Sequence, residues 1–202
     1  MKFNIEPIFP ISVQFSNIER AFTKKELNFF KTYENKTSKN IGNYSSKNNY
    51  ILNEITLKTL KKEISNCINN YVNQVMCYEN VDVYITQSWL NYTKQNESHH
   101  VHEHPNSFLS GVLYLQTCEE DKIYFYKKKY QQISPNIKNW NNYNSSSWWF
   151  PVKNGDIILF PSELTHSVDI KKQNNTRISL AFNTFVKGTL GLNIELTELI
   201  LT

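Results

Sequence analysis

The chain has 202 residues, 40% hydrophobic and 20% charged, an ordinary soluble globular composition that suits one domain with a full core. No apolar run approaches the ~18 residues of a membrane span, and the opening "MKFNIEPIFPISVQF", with one lysine and a proline-broken apolar stretch, is poor material for a signal peptide. A net charge of +4 permits an acidic partner without demanding one, and Cys67, Cys77 and Cys118 indicate neither a disulfide framework nor a zinc knuckle, so a reducing cytoplasm fits best.

Residues 1–80 read mainly as helix. "SNIERAFTKKELNFFKTYE" (16–34) opens on Ser16 as a cap and carries a moderate apolar stripe. Within 53–76, Leu60, Ile64, Cys67, Ile68, Tyr71, Val72 and Val75 recur at three- and four-residue spacing, one face of an amphipathic helix. From residue 81 the period becomes two. Segments 81–93, 107–116, 122–129, 146–153, 155–161, 165–170 and 177–186 read as strands, rich in β-branched and aromatic residues and separated by Gly, Pro, Asn or Asp. With the histidine-rich segment as a further short strand, the pattern predicts a mainly β jelly roll with the N-terminal helices packed on its outer face. The expected organisation is one domain over 1–202: a mostly helical 1–80, a core over 81–186 and a C-terminal extension over 187–202. Residues 127–149 form a long polar and aromatic connection, read as a lid or as a solvated loop.

Four of the five histidines lie in "HHVHEH" (99–104), and the fifth is His166. Strand alternation puts His100, His102 and His104 on one face and His99, Val101 and Glu103 on the other. Imidazoles at i and i+2 can share one metal ion, and His166, at the start of a later strand, can supply a third ligand. A hydrogen-bonded polar cluster is the bland alternative. Imidazole suits iron, zinc, copper or nickel, and no nearby cysteine biases the choice to zinc. In "RISLAFN" (177–183), alternation puts Arg177, Ser179, Ala181 and Asn183 on one face. An inward arginine needs an anion, and its planar fork matches a carboxylate; the plain alternative is an arginine at a strand end that reaches solvent or pairs with an acid.

These segments resemble the iron(II)- and 2-oxoglutarate-dependent oxygenases, and within them an uncharacterised group, of phage and marine bacterial type, with H-x-H-P-x-S-x-x-S-G-V-x-Y-L, F-P-S-x-L-x-H-S-V and R-I-S-x-x-F-N patterns. Here they stand as "HEHPNSFLSGVLYL" (102–115), "FPSELTHSV" (160–168) and "RISLAFN" (177–183), with "SWLNY" (88–92) and "FNTFVKGTLG" (182–191) in support. The resemblance implies a double-stranded β-helix, another name for the jelly roll, with Fe(II) held by His102, His104 and His166. It implies that Arg177 and Ser179 hold the distal carboxylate of 2-oxoglutarate with help from Tyr114, that Asn183 lines the pocket, and that O2 is consumed to hydroxylate a substrate with release of succinate and CO2. The departure is His104, where most of the superfamily has Asp or Glu. Either the triad is all histidine, or His102 and His166 act with a carboxylate from elsewhere; Glu103 points away if the strand is regular.

Two rival readings remain at this level. One is a cupin-like three-histidine metalloenzyme without 2-oxoglutarate, although the glutamate after H-x-H and the P-x-G before the last ligand are both missing. The other is a non-catalytic binding or assembly module whose lysines and Trp140, Tyr143, Trp148 and Trp149 contact nucleic acid or protein. The substrate, whether peptide, nucleobase or small metabolite, is not encoded in any readable motif, and no membrane partner is indicated.

Overall fold

Period-two alternation gives the strands of the larger sheet one face for the helices and one for a second sheet, and the computed structural model shows that layering over the residues it describes, 1–128 and 133–202. In chain order the elements are β1 (Gln14–Asn17), α1 (Lys24–Tyr33), β2 (Thr37–Lys39), β3 (Tyr44–Ser46), α2 (Lys58–Tyr71), β4 (Val81–Thr93), β5 (His99–His102) and β6 (Leu109–Gln116). Then follow β7 (Lys122–Tyr126), β8 (Ser147–Pro151), β9 (Asp156–Pro161), β10 (His166–Val168), β11 (Arg177–Leu190) and β12 (Leu199–Leu201). The larger sheet runs β1-β9-β6-β11-β4-β3-β2, with β12 on the far end of β11; the smaller runs β5-β10-β7-β8. All eight expected strands occur, and β1, β2, β3 and β12 join them.

The helices cover the outer face of the larger sheet. Leu60, Ile64, Ile68 and Tyr71 of α2 pack with Leu90, Tyr92, Leu113, Leu159, Leu180 and Phe182, all buried. The α2 stripe is shorter than its periodicity suggests: the helix passes into a π-turn over Val72–Met76, where Val75 is exposed, and Cys77 ends it in the left-handed region at φ 51°. Gly111 lets this layer close, because a Cβ there would lie 2.2 Å from Phe182 Cζ. A second core fills the space between the sheets, with Tyr114, Ile123, Phe125, Ile158 and Phe160 at its centre.

The first helix begins later than expected. Gln14–Asn17, including Ser16, pairs antiparallel with β9 instead of capping a helix. The cap is Thr23: its Oγ1 accepts from Glu26 N–H at 3.2 Å, and the Glu26 carboxylate accepts from Thr23 N–H at 2.7 Å, a reciprocal capping box. Arg20 then ties Glu26 to Glu63 of α2 with contacts of 2.8 Å to each carboxylate, joining the two helices. Of the 127–149 connection, residues 129–132 lie outside the described residues, so the lid reading falls partly on them.

Candidate functional site

Three strands of the smaller sheet bring the histidines together. His166 on β10 sits opposite His102 on β5 on one side and Phe125 on β7 on the other. His104, just past β5, is held by its N–H donating to Ser162 O at 3.0 Å. One ligand atom from each of His102, His104 and His166 lies within 4.8 Å of the other two. Every Nδ1 faces an acceptor: His102 donates to His100 O at 2.8 Å, His166 to Leu164 O at 3.0 Å, and His104 to Asn183 Oδ1. Asn183 Oδ1 is fixed in turn by Ser110 Oγ, which donates to it at 3.0 Å. Protons on Nδ1 leave Nε2 as a lone pair in each ring. The Nε2 atoms of His102 and His104 are 3.1 Å apart, so two lone pairs face one another. A cation between them resolves that repulsion. Burial pushes His166 down to about 3 and His102 to about 4, and also lowers His104, so the rings stay in the neutral form a metal requires.

The larger sheet builds the other wall. Tyr114, Ser179 and Asn91 stand side by side across β6, β11 and β4, and Arg177 stands beside Thr93 one step further along. The alternation expected of 177–183 holds: Arg177, Ser179 and Ala181 line the cavity with the three histidines, while Ile178, Leu180 and Phe182 face the helices. Arg177 is 3% exposed. Its Nη1 donates to Asp121 Oδ1 at 2.9 Å, an acid partner that leaves the fork half used, since Nη2 is buried with no partner. A buried guanidinium nitrogen without an acceptor is costly unless a ligand supplies one. A convergent metal-ligand set and an unmet anion donor therefore share one cavity.

The 2OG-Fe(II) oxygenase family model matches residues 87–183, a span that contains the three histidines, Asp121 and Arg177. Over that span, just under half of the chain, the protein is similar to the 2-oxoglutarate- and iron(II)-dependent oxygenases. Solved structures share the fold of this chain at low identity. HygX from Streptomyces hygroscopicus, crystallised with nickel, 2-oxoglutarate and hygromycin B, is 11% identical with a TM-score of 0.57 over 86% of this chain and 82% of its own. SnoN, an alpha-ketoglutarate-dependent epimerase from nogalamycin biosynthesis, is 9% identical with a TM-score of 0.59 over 88% and 81%. An oxidoreductase of the 2OG-Fe(II) oxygenase family from Burkholderia pseudomallei is 11% identical with a TM-score of 0.55 over 85% and 84%. No curated protein sequence matches the chain.

The chain departs from simple alternation at one strand. His99 was expected on the outer face, yet it lines the cavity and stacks on His102, with ring centroids 4.6 Å apart and planes 17° apart. The β5–β10 register slips between His166 and Val168, placing His99 opposite Val168, and this irregularity turns it inward. His100 lies beside His102 as expected, with ring centroids 4.7 Å apart, and its Nδ1 is 3.3 Å from Ile41 O. His99, His100 and His102 also come within 4.8 Å of one another, but His102 Nδ1 is already committed to His100 O, which favours the trio with His104 and His166. Glu103 points away as expected: its carboxylate accepts from Thr165 Oγ1 at 2.7 Å and pairs with Lys128. Among the described residues, the convergent group contains no carboxylate. Trp89, whose ring lies 5.6 Å from that of His104, and Asn91, whose Oδ1 is buried without a partner, also line the cavity. Neither was singled out in the sequence, although the alternation of "WLNYT" puts both on one face. Nothing in "CEEDK" marks Asp121.

Proposed function

We propose that this protein acts as a single domain that holds iron(II) through Nε2 of His102, His104 and His166. It holds 2-oxoglutarate through Arg177, Ser179 and Tyr114, and uses O2 to hydroxylate an organic substrate with release of succinate and CO2. Iron(II) and 2-oxoglutarate supply oxygen activation coupled to decarboxylation, while the chain supplies position and a water-poor cavity. Arg177 Nη2 and the Ser179 hydroxyl offer donors to the distal carboxylate. Burial pushes the Tyr114 hydroxyl up, so it stays protonated and able to donate. Three neutral imidazoles leave the charge of a divalent ion uncompensated, which favours an anionic cosubstrate.

The observation that carries this reading is the buried, unpartnered Nη2 of Arg177 in the same cavity as the convergent histidines. A cupin-like enzyme has no use for that donor. We read the substrate as a small organic molecule, which the hygromycin B bound to HygX supports. The motif resemblance supports a phage or marine bacterial source, and the three free cysteines support a cytoplasmic location. No helix among the described residues is long and apolar enough to cross a membrane. The test is an anaerobic iron(II) titration followed by optical spectroscopy with and without 2-oxoglutarate. A metal-to-ligand charge-transfer band that needs both components is expected; its absence from a protein that binds iron would overturn the 2-oxoglutarate assignment.

A further inference from the structure

Behind the Asp121–Arg177 pair lies a second group of reactive side chains. Lys171 is 2% exposed, and its Nζ donates to Cys118 Sγ at 3.3 Å. No carboxylate pairs with this lysine among the described residues, so a buried ammonium has a sulfur as its acceptor. Its backbone is pinned on both sides, N–H to Glu97 O and C=O from Asn96 N–H, each at 2.8 Å, so the side chain is aimed by fixed structure. Cys118 Sγ donates to Gln173 Oε1 at 3.1 Å. Cys118 is half-buried, and a polar cleft lined by Asp121, Lys122, Lys171, Gln173 and Arg177 borders both of its partners, Lys171 and Gln173.

The same turn holds the arginine. Cys118 N–H donates to Asp121 Oδ2 at 2.9 Å, Asp121 N–H returns to Cys118 O at 3.1 Å, and Asp121 Oδ1 accepts from Arg177 Nη1 at 2.9 Å. The chain Lys171–Cys118–Asp121–Arg177 therefore links a thiol to the anion donor of the cavity through direct contacts.

We propose that Cys118 is a peroxide-sensitive modification site, assisted by Lys171, whose oxidation loosens the grip of Arg177 on 2-oxoglutarate. The reactivity stands on the thiol–lysine geometry; the consequence rests on the function proposed above. Sulfur attacks one oxygen of hydrogen peroxide, an S–O bond forms and the O–O bond breaks. The thiol proton leaves with the departing hydroxide as water. Sulfur loses two electrons and the peroxide gains them, giving a sulfenic acid that two external thiols reduce again. Lys171 stabilises the negative charge that sulfur carries during attack. The added oxygen then has to enter between Sγ and partners 3.1 and 3.3 Å away, displacing the turn that positions Asp121.

Cys77 is the internal control, being exposed where Cys118 is half-buried. Native protein is treated with hydrogen peroxide, sulfenic acids are trapped with a dione probe, and each cysteine is followed by peptide mass spectrometry. Cys118 is expected to react faster than Cys77 in the native protein and at a similar rate in urea. Lys171→Met should slow Cys118 by about ten-fold, the loss of one charge-assisted hydrogen bond. If Cys77 reacts first in the native protein, exposure alone governs and the proposal fails; the native wild-type comparison gives this result even if Lys171→Met does not fold. Anaerobic 2-oxoglutarate titration of the iron-loaded protein reads the consequence: peroxide should weaken binding to the wild type and not to Cys118→Ser. Oxidation of Cys118 with unchanged affinity would overturn the coupling. Failure of the reduced protein to bind 2-oxoglutarate would count against the proposed function and leave the thiol result standing.

Discussion

Replacing Arg177 by methionine tests the anion end of the cavity, and the structure says how to do so without confusing binding with folding. Arg177 and Asp121 are each 4% exposed in their side chains, so the pair is buried and surface salt-bridge values do not apply. Arg177→Met alone strands the Asp121 carboxylate, a change that costs about 3–5 kcal/mol of stability. Pairing it with Asp121→Asn removes the stranded charge, and the carboxamide oxygen can still accept from Cys118 N–H, so most of that loss should return. Binding should not return. Nη2 can offer one or two charge-assisted hydrogen bonds to a carboxylate, about 2–4 kcal/mol, which corresponds to a fall in 2-oxoglutarate affinity between about thirty-fold and about a thousand-fold. Urea unfolding reads the first effect, and anaerobic titration of the iron-loaded protein reads the second. A double variant that folds like the wild type and binds 2-oxoglutarate with wild-type affinity would refute the assignment of Arg177.

Asn183→Leu removes the acceptor for His104 Nδ1 and should weaken metal binding by about 10- to 100-fold, measured by competition with a chelating dye. The metal-free protein should lose stability in acid. Burial places His102 near about 4 and His166 near about 3, whereas the unfolded imidazoles take up protons near 6.5, so this stability is complete above pH 6.5 and lost as pH falls below it. A thermal midpoint that stays flat from neutrality into acid would contradict the neutral, buried rings, and added divalent metal should raise it. Gly111→Ala should destabilise by about 1–3 kcal/mol in urea, because the new Cβ meets Phe182 at 2.2 Å. Thr23→Ala should cost about 1 kcal/mol by the same measurement, through loss of the first-turn cap of α1.

The β half was legible because a strand whose two faces meet different surroundings repeats a signal of period two, and β11, polar towards the cavity and apolar towards the helices, shows this best: Arg177, Ser179, Ala181 and Asn183 fall on one side and Ile178, Leu180 and Phe182 on the other. The N-terminal strand was not legible. "QFSN" becomes β1 only because β9, some 140 residues away, offers it an edge, whereas Ser16 resembles a helix cap to any local reading. The Thr23-x-x-Glu26 capping box was the better local signal for where α1 begins. His99 fails for a related reason: its direction depends on where β5 slips against β10, which is a property of two strands and not of one.

Within the site the division follows chemistry. A divalent metal accepts few side-chain types, so a cluster of histidines announces its ligands, and an inward arginine announces an anion. The groups that orient the ligands carry no such signature. His102 and His166 donate to the backbone carbonyls of His100 and Leu164, which any sequence would supply, and their acceptors cannot be removed by substitution. Only His104 leans on a side chain, that of Asn183. Of the three second contacts to the ligand rings, the one at Asn183 is thus both the one that a sequence could reveal and the one that mutation can probe. If Asn183→Leu leaves metal affinity unchanged, the Nδ1 proton of His104 does not set its ligand geometry, and the lone-pair convergence on which the iron assignment stands would lose one of its three supports.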